Sequence, residues 1–257
     1  MKLRWFSTAA FTLTEKETTL AFDPFLGLPL NRRWPDLAGR AFEAAAAVVV
    51  THGHLDHILE IPALLKGSDA IVYGTATPCR TLQKHGVPVD RLREIRPGET
   101  VEVGPFQVKA YEGQHCAFDG PLIWKTVLSP RLWKHLPRAL RLLWYAVSYP
   151  EKGETLFYEV MAGDRRIQVM GSMGLCPNVT YPTGADALIL PYQGRSDLVT
   201  YGWDLIERLQ PKAVYLDHYD DSFPPLTAAI DTKPFCGLLT GRGIPCRALE
   251  PSKTIDL

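Results

Sequence analysis

The stretch Thr51-His52-Gly53-His54-Leu55-Asp56-His57 sets three imidazoles and a carboxylate within six positions. The chain has seven histidines, so four lie outside this run. Neutral imidazole and carboxylate are ligands for zinc, iron or manganese. Upstream, Ala44-Ala45-Ala46-Ala47-Val48-Val49-Val50 ends as a buried strand. Downstream, Ile58 to Leu65 reads as a short helix. The run therefore falls on a strand-to-helix turn, where side chains can converge on one point.

Working outward, other strands end in similar chemistry. Phe106 to Tyr111 alternates apolar and polar residues and runs into His115. Ala213-Val214-Tyr215-Leu216 is a buried strand ending at Asp217-His218. Thr155 to Met161 and Arg166 to Met170 flank Ala162-Gly163-Asp164-Arg165, a hairpin turn that leads to Gly171-Ser172. Ala187 to Leu190 is a strand followed by Pro191-Tyr192-Gln193, and Leu198 to Leu209 reads as a helix. The opening reads as strands over Leu3 to Phe11 and Thr18 to Phe22, the second closed by Asp23-Pro24. Residues 26 to 42 read as a loop with Pro29, Pro35 and Gly39. Pro78 to Lys84 reads as a helix with Thr77 as its N-cap. His85, at the end of that helix, and His135 are read as lying outside the metal chemistry.

The pattern His52-x-His54-x-Asp56-His57 after an apolar strand resembles the signature of the metallo-β-lactamase superfamily, and the likeness can be followed along most of the chain. The resemblance implies an α/β fold, the four-layer αββα sandwich, with metals at one edge. It assigns His52, His54 and His115 to a first metal site, and Asp56, His57 and His218 to a second. Asp23 matches an aspartate that orients a metal-binding histidine. A tetrahedral zinc on three histidines keeps one position for water, whose pKa it lowers to about 7. The implied function is a metal-dependent hydrolase, lactonase- or phosphodiesterase-like, directing metal-activated hydroxide at an ester, lactone, amide or phosphodiester bond. Asp56 would orient the hydroxide or carry the leaving-group proton. Zn2+ is the expected metal, one or two ions, with Mn2+ or Fe2+ as alternatives.

The sequence departs from the family at Ser172. Many two-metal members carry a bridging aspartate there, and a neutral hydroxyl is a poor bridge. Unequal metal sites follow, with Asp119 or Asp217 as candidates to compensate. The alternative is a non-catalytic metal- or ligand-binding protein on a degenerate form of the fold. Tyr192 and Gln193 are candidates to bind substrate. Cys116 beside His115 is a remote candidate nucleophile.

Composition narrows the rest. The chain has 257 residues, 46% hydrophobic, and no linker, so one domain is expected. Its 28 basic and 28 acidic residues cancel, which argues against nucleic acid as partner. The five cysteines are odd in number and form no Cys-x-x-Cys pair, as expected of free thiols in a reducing compartment. The N-terminus lacks the features of a signal peptide and no apolar run is long enough to span a bilayer, so a cytoplasmic protein is expected. Residues 121–150 stand apart as an aromatic and basic insertion, read as a lid, an oligomer contact or a membrane-surface element. Small-molecule or lipid-like substrates suit it. The oligomeric state is left open.

Overall fold

Buried parallel strands read as unbroken apolar runs because both their faces are covered. Ala47-Val48-Val49 and Ala187-Leu188-Ile189-Leu190 are such runs, and each lies in the parallel half of a mixed sheet. The computed structural model describes residues 1–27, 40 and 42–257. The first sheet contains β1 (Lys2–Ser7), β2 (Ala10–Glu15), β3 (Thr18–Phe22), β4 (Ala47–Val49), β5 (Ile71–Gly74) and β6 (Leu92–Glu94). The second contains β7 (Thr100–Val103), β8 (Phe106–Glu112), β9 (Leu156–Ala162), β10 (Arg165–Met170), β11 (Ala187–Pro191), β12 (Val214–Asp217) and β13 (Cys246–Ala248). The last strand, β14 (Thr254–Asp256), returns to the first sheet beside β1.

The alternation of side chains along each strand builds the layers. Val49, Leu156, Tyr158 and Ile189 point into a core shared by the two sheets. Val48 and Val50 face the opposite way, toward α1 (Leu55–Ile58), α2 (Ile61–Leu64) and α3 (Ala76–Lys84). Three further helices, α4 (Gly120–Val127), α5 (Pro130–Lys134) and α6 (Leu136–Val147), make up the insertion. Leu188 and Leu190 cover the outer face of the second sheet with α7 (Leu198–Leu209) and α8 (Lys233–Gly241). This is the four-layer αββα arrangement.

Several local expectations change. The stretch Leu3 to Phe11 is two strands, because Thr8 takes a left-handed φ of 51° and turns the chain between β1 and β2. The helix expected from Ile58 begins at Leu55 and is cut in two, since the Pro62 ring clashes with the carbonyl four residues back. The N-cap position of α3 is Thr75, whose side chain makes no capping bond, and Thr77 lies inside the helix, held by Glu154. The loop expected over residues 26 to 42 falls largely outside the described residues.

Candidate metal centre

The ligand-bearing side chains come from both sheets. The turn after β4 supplies His52 and His54, and α1 supplies Asp56 and His57. The segment after β8 supplies His115, and the end of β12 supplies His218. They gather into two groups, His52/His54/His115 and Asp56/His57/His218, and within each the ligand atoms all lie within 4.8 Å of one another. His52 Nε2 stands 3.1 Å from His54 Nδ1. His218 Nε2 is 3.0 Å from Asp56 Oδ2, and His57 Nε2 is 3.6 Å from the same oxygen. The rings of His52 and His57 lie 3.8 Å apart, so the groups are contiguous.

A ring of buried polar groups fixes these ligands. Asp23, in a left-handed conformation, accepts hydrogen bonds from Thr51 N at 2.8 Å and Thr51 Oγ1 at 2.6 Å. Its Oδ2 also lies 2.8 Å from His57 Nδ1, which leaves His57 Nε2 to face Asp56. Thr51 Oγ1 is 3.0 Å from His52 Nδ1, so one hydroxyl joins both ligand groups to Asp23. Tyr158 donates to the Val50 carbonyl at 2.7 Å and ties β9 to this turn. Thr8 holds the His218 side, accepting from His218 N at 2.8 Å and donating its own N–H to Asp220. The sequence by itself assigns no role to Thr51 or Thr8. The signal for Thr51 is its place directly before the first histidine; Thr8 offers none.

Glycine permits the close approach of the loops. A Cβ on Gly171 would lie 2.6 Å from the Leu156 carbonyl oxygen and 2.7 Å from Thr51 Cβ. One on Gly53 would collide with the Pro150 carbonyl oxygen.

The electrostatics suit cation binding. Burial, reinforced by His57 and His54, holds His52 well below the usual imidazole range. Burial also lowers His54 to about 4 and lowers His115. These three are therefore neutral near pH 7, with lone pairs free to bind. In the other group, burial opposes every charge, but opposite charges prevail. Asp23 and Asp56 raise His57, the Asp56 hydrogen bond raises His218 to about 9, and the histidines hold Asp56 below the usual carboxylate range. That group is a compensated ion cluster whose protons a metal can replace. His218 Nδ1 and Asp217 Oδ1 are buried without partners, and burial lifts Asp217 to about 8. The donor set fits one or two cations.

Ser172 accepts a hydrogen bond from Cys116 N at 3.0 Å. It thus clips the residue next to His115. Asp119 does not compensate for the missing carboxylate, because it accepts from the Ser196 N–H and hydroxyl. Cys116 is buried, and burial raises its thiol to about 11, which speaks against a nucleophile. Tyr192 requires correction as a substrate-binding residue. The alternation of β11 continues through it, so it joins Leu188 and Leu190 on the outer face and stacks on Phe235 at 5.0 Å. Gln193 is half-buried, with its amide oxygen unpartnered. His85 stacks on Tyr149, and His135 is exposed at the start of α6. A cleft of about 510 Å3 opens beside His115, bordered by Gln114, Glu151, Cys176 and Asn178.

A family model described as a beta-lactamase superfamily domain matches residues 18–128. A UPF0173 metal-dependent hydrolase of Methylobacterium nodulans is 27% identical over 247 residues, 95% of this chain and 94% of the relative. A UPF0173 protein of Pyrococcus furiosus is 24% identical over 221 residues, 85% of this chain and 83% of the relative. Among solved structures, Igni18, a metallo hydrolase from Ignicoccus hospitalis, superposes with a TM-score of 0.70 at 18% identity, covering 99% of this chain and 97% of its own. CmlA, a diiron β-hydroxylase from Streptomyces venezuelae, gives 0.66 at 14% identity, covering all of this chain and 54% of its own. Over residues 18–128 the chain is similar to the beta-lactamase superfamily domain, and over nearly its whole length it shares the fold of metallo hydrolases.

Proposed function

We propose that the protein is a metal-dependent hydrolase whose centre is formed by His52, His54 and His115 on one side and Asp56, His57 and His218 on the other. The observation that carries this reading is the contiguity of the two ligand groups, one neutral and one charge-compensated. A relative named a metal-dependent hydrolase, aligned over 95% of this chain at 27% identity, supports it. Imidazole-rich donors favour zinc, while the two-histidine, one-carboxylate group also suits manganese or iron. A bound ion of this kind supplies Lewis acidity and brings the ionisation of water into the neutral range.

The residues do the rest. Asp23 and Thr51 fix which nitrogen of His57 and of His52 faces the centre, as outer partners of metal ligands commonly do. Asp56, at the junction with His57 and His218, is placed to orient water or to take the proton that must reach the leaving group. Gln193 is the remaining candidate from the sequence to hold a substrate oxygen. Esters, lactones, amides and phosphodiesters are the bonds to test. No described helix is long and apolar enough to cross a membrane. Five unpaired cysteines fit a reducing, cytoplasmic setting.

The test combines metal content per chain with a hydrolysis screen over those bond classes. His115→Ala should lose metal from the three-histidine group and lower metal-dependent turnover by at least about 100-fold. Unchanged turnover in that variant would overturn the proposal. A second reading, a metal-binding protein without catalysis, rests on Ser172. It predicts metal uptake and no turnover on any substrate class.

A further inference from the structure

A helix on a protein surface ordinarily turns its apolar stripe toward the core. The insertion does the reverse. In α6 the residues facing the core are Ala139 and Leu142, while Leu140, Leu143, Trp144 and Val147 point outward at helical spacing. In α4 no residue is buried, and Ile123, Trp124, Val127 and Leu128 form a second outward stripe. Phe118 and Trp133 extend the surface, and Trp124, Trp133 and Trp144 are 66%, 60% and 69% exposed. So many large apolar side chains exposed on one segment mark an interaction site.

The charge on the segment identifies the partner. Residues 120–150 contain Lys125, Arg131, Lys134, Arg138 and Arg141 and no aspartate or glutamate, although the whole chain is neutral. Arg131 pairs with Asp221. Lys125, Lys134, Arg138 and Arg141 make no ion pair among the described residues, and Arg138 keeps a buried guanidinium nitrogen without a partner. A second copy brought face to face would set these cations against their equivalents with no acid between them. Outward tryptophans bordered by lysine and arginine match the boundary of a bilayer, where indole sits at headgroup level and cations meet anionic lipid.

We infer that the face formed by α4, α5 and α6 docks on an anionic lipid surface. The chain enters this segment just after His115 and leaves it at Pro150, whose carbonyl packs on Gly53 between His52 and His54. Docking would therefore hold the ligand cluster near the membrane surface. The inference stands on exposure and charge and does not depend on the hydrolase reading.

The full chain is floated with vesicles of phosphatidylcholine alone and with vesicles containing phosphatidylglycerol at about three parts in ten. Comigration is expected with the anionic vesicles, with a blue shift of tryptophan emission, and binding at least about tenfold weaker at high salt. Lys125→Glu/Lys134→Glu/Arg141→Glu and, separately, Trp124→Ala/Trp144→Ala should each weaken binding at least tenfold while circular dichroism and metal content stay unchanged. These positions are exposed, so both variants are expected to fold. Absence of comigration at low salt overturns the inference, as does binding that both variants leave intact. A concentration-dependent dimer that the tryptophan variant dissolves, without vesicle binding, would overturn it in favour of a contact between copies.

Discussion

At the scale of single residues, the centre is a set of titratable groups held in unequal protonation states. His52, His54 and His115 are kept neutral by burial, whereas His218 is raised to about 9 beside Asp56. A metal entering the second group must therefore displace a proton at pH 7, and one entering the first need not. Proton competition weakens as pH rises, so affinity at the Asp56/His57/His218 group should climb between pH 6.5 and about 9 while the other group stays nearly flat. Calorimetric titration in buffers of different ionisation enthalpy reads that proton directly. Ser172→Asp would add the missing carboxylate, and second-site affinity should rise at least about tenfold, since ligand charge strengthens cation binding. Metal stoichiometry and affinity equal to the parent would discard this account of Ser172. The candidate ligands are legible because six residues of ligand type follow strand endings in the sequence. Thr51 and Thr8 are not, because a hydroxyl acquires its role only from partners brought near by folding.

At the scale of elements, alternation along strands is the reliable guide, and the placement of Tyr192 by its position after a strand end is where the reading departs from it. It places Leu188 and Leu190 correctly, and carrying it one step further would have sent Tyr192 outward with them instead of into a pocket. Helix periodicity shows that the insertion is amphipathic. It does not show which way the stripe turns, and α4 and α6 turn it toward solvent. The junction between the insertion and the metal turn is tight. Gly53→Ala would press a methyl against the Pro150 carbonyl, a backbone atom that no rotamer change can move aside. The turn carrying His52 and His54 should shift, costing about 1–3 kcal/mol in stability and at least tenfold in metal affinity. Thermal denaturation and a competitive chelator titration measure the two effects. Wild-type affinity in this variant would mean that the insertion yields more readily than the turn.

At the scale of the whole molecule, metal and fold should be coupled, because binding to the native state alone raises its stability. Stripping the metal with a chelator should lower the unfolding midpoint. An ion present at 100 times its dissociation constant contributes about 2.7 kcal/mol. Scanning calorimetry before and after chelation, then after zinc is restored, provides the check, and an unchanged midpoint would show that no ion was held.

His52, His54, Asp56 and His57 ride on elements that follow the first sheet, while His115 and His218 ride on the second. His218 meets Asp56 across 162 positions of chain. The centre is consequently a gauge of interlayer alignment. A slip of one sheet over the other too small to expose the core would still separate the two half-sets of donors. Metal occupancy should therefore fall before circular dichroism changes, and a substitution deep between the sheets would register first at an edge it never touches.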